Sequence, residues 1–308
     1  MNILLSISVG LILSNVIIGI SLRSIITLVA TLVVCFVFLI VYFQESMMYI
    51  PQVSGFTTVE TNPEGYRSPS EYGIEFEDVR VETSDGEKIH LWYLHSSTPK
   101  ISQVFLECHG NAGNMGLRLP SMIAARKHLN VGIVIFDYRG FGASTGVPGE
   151  AGFLLDLSAV HDWLLTKVKA TQIILHGRSV GGSLVIQHAA RRPSVDMAGV
   201  LAENTFISIS RLVDTQFPYL RFIKKFVLRL QWDTLNWLES FPKDVPLMLI
   251  SSVNDEIVPH EHRLELYEMA KKLEIKVHLE IFSNAGHNDV WVSGNQYWAS
   301  QAEWMKSL

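Results

Sequence analysis

The stretch IILHGRSVGGSLVI, residues 173–186, sets a polar serine between glycines where an apolar strand gives way to a helical pattern. Ile173, Ile174 and Leu175 read as a short buried strand, and Leu184, Val185 and Ile186 open a helix that continues to Arg191. Ser179 therefore stands at the corner. Its hydroxyl could serve only as a cap, accepting an N–H of the first helical turn. A cap does not require the glycines. Gly177 and Gly181 complete Gly-x-Ser-x-Gly, the spacing of a sharp strand-to-helix turn that strains the serine backbone and lifts its hydroxyl above a sheet.

Outward from this turn the chain repeats one rhythm. Strands are predicted at 75–82, 88–95, 104–108, 132–136, 172–175, 198–202, 245–250 and 276–282, and helices at 115–129, 153–168, 184–191, 260–273 and 295–305. Short continuous apolar strands alternating with helices imply an α/β fold, a mainly parallel sheet covered on both faces. Such sheets place ligands beyond the carboxyl ends of their strands. The unusual residues fall there: HGNAGN follows Cys108, DYRGFG follows Phe136, ENTF follows Ala202, SSVNDEIVP follows Ile250, and SNAGHND follows Phe282.

Serine at its ordinary pKa is a poor nucleophile, so acyl transfer needs a base within reach and a carboxylate to fix the tautomer of that base. Of the 11 histidines, His287 follows the last strand inside a glycine-containing turn, where a loop can bring an imidazole back over the sheet. The others lie in predicted strands and helices or directly before glycines, where packing roles suffice. Asp255 follows the penultimate strand, and the order Ser179, Asp255, His287 is that of a hydrolase built on such a sheet. Glu203 is the rival acid. Asp255 could also be a turn residue, and His287 a cap for the last helix. A tetrahedral intermediate requires backbone donors, which the N–H of Val180 and that of Asn111, with Ala112 next, are placed to supply.

GNAGNMG and GFGASTG lack the Gly-Lys-Ser/Thr ending of a phosphate loop, and neither fits a dinucleotide fingerprint. The chain has no His-Glu-x-x-His and only 2 cysteines, Cys35 and Cys108, so neither cofactor nor metal is expected. With 25 basic and 30 acidic side chains, a net charge of −5 and no basic stripe, nucleic acid is not an expected partner.

The 308-residue chain is richest in apolar side chains at its amino end, where Arg23 and Glu45 are the only charges among the first 50 residues. Residues 3–22 and 25–43 are each about the length that spans a bilayer. Residues 1–50 are read as a retained anchor of one or two transmembrane helices, since a cleaved signal has a basic start and a shorter core. Arg23 alone gives too little charge asymmetry to orient the anchor. The Pro-, Gly-, Thr- and Ser-rich segment 51–72 is read as a linker or irregular wrap, and 73–308 as the catalytic domain.

These residues resemble the membrane-anchored α/β-hydrolases of the Bem46-like group, close to the α/β-hydrolase domain-containing protein 13 type. The resemblance rests on the apolar anchor, YIP after it, HGNAGN, DYRGFGASTGVPGE, GRSVGG, ENTF, DEIVP and GHND. It implies a membrane serine hydrolase of the α/β-hydrolase fold, at the endoplasmic reticulum or a related endomembrane, with Ser179, Asp255 and His287 as the triad. A related branch removes acyl groups from palmitoylated proteins, which suggests an acyl ester or thioester substrate. This chain departs from that branch in carrying apolar spans instead of an acylated cysteine-rich amino terminus.

In this fold the break in rhythm over 205–240 marks a lid. Within 219–230, Arg221, Lys225 and Arg229 recur at four-residue spacing beside apolar residues and predict a basic amphipathic helix that could touch a bilayer. The anchor 1–50 is expected to be dispensable for hydrolysis of soluble esters.

Overall fold

In the computed structural model, the structure describes residues 22–98, 103–168, 170 and 172–308. The strands are β1 (Phe76–Glu82), β2 (Lys88–Leu94), β3 (Gln103–Cys108), β4 (Gly132–Phe136), β5 (Gln172–Arg178), β6 (Gly199–Glu203), β7 (Leu247–Ser252) and β8 (Val277–Phe282). They form one 8-stranded sheet in the order β1-β2-β4-β3-β5-β6-β7-β8. The β1–β2 and β2–β4 pairs are antiparallel, and the pairs from β4 onward are parallel.

The central strands are apolar throughout because both faces are covered. Val104, Leu106, Val134, Phe136, Leu175, Val200 and Leu249 enter one core, while the alternate residues Phe105, Ile133, Ile135, Ile174, Leu201 and Met248 enter the other. Over the first face pack α3 (Glu150–Trp163), α4 (Val180–Ala189) and α8 (Glu261–Lys272), through Phe153, Leu157, Leu184, Val185 and Leu266. Over the second pack α2 (Leu119–Leu129) and α9 (Asn295–Met305), through Leu119, Met122, Tyr297 and Trp304.

The chain enters through α1 (Leu22–Met48), whose 27 residues give a length of about 40 Å. Leu28, Val34 and Phe36 are among the large apolar side chains it leaves exposed, and it is long and apolar enough to cross a membrane. The other apolar run, 3–22, lies outside the described residues apart from its last position. Segment 51–72 is packed onto the domain. Asn62 and Asn114 are buried and exchange amide hydrogen bonds at 2.7 and 2.9 Å, and Val59 enters the second core.

The lid region holds α5 (Ile209–Gln216), the single turn α6 (Lys224–Val227) and α7 (Thr234–Leu238). The basic helix expected over 219–230 is not formed as one unit. The amides of Arg229 and Leu230, which would extend it, donate instead to Gln44 Oε1 on α1 at 2.7 and 3.1 Å. Leu228 is accordingly extended, and Arg221, Lys225 and Arg229 do not share one continuous helix.

The glycine-rich turn after β4 wraps a buried carboxylate. Asp137 Oδ1 accepts the Met115 N–H at 2.6 Å, and a Cβ at Gly142 would lie 1.8 Å from Asp137 Oδ2, so no side chain fits there. Burial raises the Asp137 pKa from 3.8 to about 7. The unfolded chain releases this proton near pH 4 and the folded chain near pH 7, so the stability contribution is present at low pH and lost as pH rises between them. The loss is roughly 4 kcal/mol. Asp137→Asn is expected to gain stability on the wild type across that window, as denaturant titrations at pH 4 and 7 would measure.

Candidate active site

Ser179 closes β5 and opens α4 with φ 57° and ψ −119°, a conformation costing a non-glycine residue about 1–3 kcal/mol. Its hydroxyl makes no capping hydrogen bond, which disposes of the helix-cap alternative. The flanking glycines have steric reasons. A Cβ at Gly177 would lie 2.2 Å from the carbonyl oxygen of Gly181, and one at Gly181 would lie 2.0 Å from that of Cys108. Strand and helix can thus approach only as bare backbone. Hydrogen bonds to its backbone hold the strained residue: Ser179 N–H donates to Glu203 O at 2.8 Å, and the Thr205 side-chain Oγ1 donates to Ser179 O at 2.8 Å.

Asp255 and His287 meet. His287 Nδ1 lies 2.9 Å from each Asp255 carboxylate oxygen, and an imidazole between two acceptor oxygens must carry its proton on that nitrogen. Nε2 is left without a protein partner among the described residues. Asp255 also serves its own turn, accepting the N–H groups of Ile257 at 3.0 Å and Val258 at 2.7 Å, so turn residue and histidine partner are one role. The buried Arg263 guanidinium lies 3.3 Å from Asp255 Oδ2, and donates to Ser251 Oγ and to the carbonyls of Ser252, Val258 and Pro259. Burial lowers its pKa to about 10, which leaves it cationic at neutral pH beside the buried carboxylate.

Glu203 is occupied elsewhere. It is fully buried at the end of β6, bound to Arg178 and accepting the Tyr297 hydroxyl. The residues after it connect the two halves of the site. Asn204, at φ 46°, donates from Nδ2 to His287 O at 3.0 Å and to Ser252 Oγ at 2.9 Å, and its Oδ1 accepts the Ser252 N–H at 2.9 Å. Its neighbour Thr205 holds Ser179. Consecutive side chains of ENTF therefore clamp the serine turn and the histidine loop. Ser179 and His287 are not hydrogen-bonded to each other, and both are buried.

The loop after β3 lies against the serine, since a Cβ at Gly110 would be 3.9 Å from Ser179 Cβ. Val180 is the first residue of α4, so its N–H belongs to the first-turn amides that have no intrahelical acceptor. The Asn111 N–H has no backbone acceptor among the described residues. His109 beneath the loop is held neutral, its pKa lowered to about 3 first by burial and then by Arg118.

A family model described as "Serine aminopeptidase, S33" matches residues 99–242, which include the Ser179 turn and the Asn111 loop but not Asp255 or His287. The fold is similar to that of an esterase from Pyrococcus furiosus, with a TM-score of 0.67 over 84% of this chain and 98% of that one at 22% identity. Protein bem46 of Schizosaccharomyces pombe is 31% identical over 79% of this chain and 82% of its own. The chain belongs to the Bem46-like family of α/β-hydrolases. Another similar protein, an uncharacterized membrane protein of Saccharomyces cerevisiae, is 31% identical over 75% of this chain and 80% of its own. Family and fold together support a hydrolase, and α1 with this relative points to membrane association.

In this Bem46-like chain, sequence reading missed Arg263, Asn204, Thr205 and the side chain of Asn111. ENTF carried the available signal, since a polar pair after a buried strand end lies where the sheet presents its ligands. Arg263 lies on α8 in an ordinary polar helical pattern and gave none.

Proposed function

We propose that the protein is a membrane-anchored serine hydrolase that cleaves an ester or thioester of an acyl chain, with lipid-like substrates or S-acylated proteins as the class. The observation that carries this is the unfilled, strained Ser179 turn joined through Thr205 and Asn204 to a His287 whose Nδ1 is taken by Asp255. Ser179 Oγ attacks the acyl carbonyl as its proton passes to His287 Nε2, and the N–H groups of Val180 and Asn111 receive the oxyanion. The intermediate collapses, and the leaving alcohol or thiol departs with the proton from Nε2. Water, deprotonated by the same nitrogen, then releases the acid and restores Ser179. Asp255 orients the imidazole throughout. The decisive assay is labelling by a fluorophosphonate probe, with the modified residue mapped to Ser179.

The lid supports a substrate presented at a bilayer, here taken as an endomembrane. Phe222 and Phe226 are 75% and 76% exposed, and Arg221 and Lys225 sit over their rings at 5.4 and 4.8 Å. The same segment touches α1, through Gln44 Nε2 donating to Val227 O at 3.2 Å. Exposed aromatics interleaved with cations suit a membrane interface, where each basic side chain near anionic lipid gains about 1 kcal/mol. Replacing Arg221 and Lys225 together with glutamate is expected to lower turnover of vesicle-borne long-chain esters by about tenfold or more, while a soluble short-chain ester is hydrolysed unchanged. Equal loss on both substrates would make the segment a structural lid only.

A further inference from the structure

The joint between α1 and the hydrolase domain runs through the loop proposed to bind the oxyanion. Ile50 and Ala112 form a parallel bridge, in which Ile50 N–H donates to Asn111 O and Gly113 N–H donates to Ile50 O, both at 2.9 Å. Asn111 Nδ2 reaches back and donates to the carbonyl of Met48, the last residue of α1, at 2.6 Å. The other loop carbonyls are held from within the domain. Tyr138 Oη donates to His109 O at 2.8 Å, His109 Nδ1 to Gly110 O at 2.7 Å, and Arg118 Nη2 to Ala112 O at 2.5 Å.

A peptide group is planar, so a carbonyl held in place also fixes the N–H of the next residue. The His109 bond to Gly110 O thus aims the Asn111 amide. The Ile50 bond fixes the plane on the far side of Asn111, and the bond to Met48 clamps its side chain. Without the last two, one half of the loop would depend on Ala112 O alone. The end of α1 and the residue after it also hold the lid: Gln44 binds Val227, Arg229 and Leu230, and Tyr49 Oη accepts Trp232 Nε1–H at 2.8 Å.

The geometry points to residues 44–50 as a positioning element of the active site, one that sets the oxyanion loop from the membrane side. On this inference, removal of residues 1–50 would slow hydrolysis of soluble esters as well, the opposite of the expectation from sequence. This inference rests on the proposed role of the Asn111 and Val180 amides, and its test keeps the two apart.

The full-length protein in micelles is assayed on a soluble short-chain ester as wild type, Asn111→Ala and Ile50→Pro, the second deleting the N–H that holds Asn111 O. Both variants keep the Asn111 backbone N–H. Each is expected to lower kcat about 10- to 100-fold with KM within twofold, short of the 10²–10³ lost when an oxyanion donor is removed outright. Affinity for a trifluoromethyl ketone, whose adduct carries the same oxyanion, should fall in parallel, while the melting temperature of Asn111→Ala stays near that of the wild type. Wild-type kcat in Asn111→Ala would overturn the inference. So would a kcat loss in Asn111→Ala that follows unfolding, with unchanged ketone affinity in the folded fraction. If Ile50→Pro fails to fold, Asn111→Ala decides alone. Probe labelling of wild-type Ser179 tests the hydrolase reading separately, because that reading survives even if both variants turn over normally.

Discussion

Ser179→Ala is expected to abolish fluorophosphonate labelling and to lower ester turnover by at least about 10³-fold, with the folded structure retained. The change removes one hydroxyl that makes no capping bond, while the bonds from the Ser179 N–H to Glu203 O and from the Thr205 hydroxyl to Ser179 O remain. The residual rate would come from the amides of Val180 and Asn111 and from binding alone, which in serine hydrolases persist when a triad member is lost. Intact-mass measurement after probe treatment, beside a thermal melt, reads both halves of the prediction. Undiminished labelling would remove Ser179 from the mechanism.

Asp255→Asn is expected to cost about 10³- to 10⁴-fold in kcat, the scale seen when a triad aspartate is made an amide. An amide in contact with His287 can donate as well as accept, so the Nδ1–H tautomer loses its preference and Nε2 ceases to be the free base. The change also leaves Arg263 without its buried carboxylate, so some stability is lost with the rate. Glu203→Gln provides the contrast. Glu203 faces Arg178 and Tyr297 rather than His287, so its substitution should lower the melting temperature and leave the pH profile of kcat in place. Reversal of this ranking would transfer the acid role to Glu203.

Much of this architecture was legible because it is written in local patterns. The continuous apolar runs of β3 to β7 follow from burial of both sheet faces, and the glycines around Ser179 are required because a Cβ there would lie 2.0 to 2.2 Å from backbone oxygens. The contact between Asp255 and His287 could be expected because each follows a strand of the sheet, which needs no knowledge of distant residues. The parts not legible depend on long-range main-chain bonds. Ile50 meets Asn111 through backbone atoms that every residue except proline possesses, so no residue type announces the contact. The basic helix over 219–230 failed for a related reason. Its spacing was correct for a helix, but Gln44, 185 residues earlier than Arg229, takes the amides that would have continued it. Arg263 is a charged residue buried by a tertiary partner, Asp255, that its own helix does not reveal.

The packing of residues 51–72 has a consequence for reach. As a free coil, 22 residues would span roughly 25 Å and let a domain sweep a volume above its anchor. Here one residue, Tyr49, separates the end of α1 from the bridge at Ile50, and the segment that follows is folded against the domain. For a helix seated in a bilayer, the reacting carbonyl must then come to a fixed height and a fixed tilt. For the proposed bilayer-borne substrate, encounter would become a search in a plane, governed by lateral diffusion, with a rate that follows the mole fraction of substrate in the surface, while a soluble ester would still arrive from the surrounding solution.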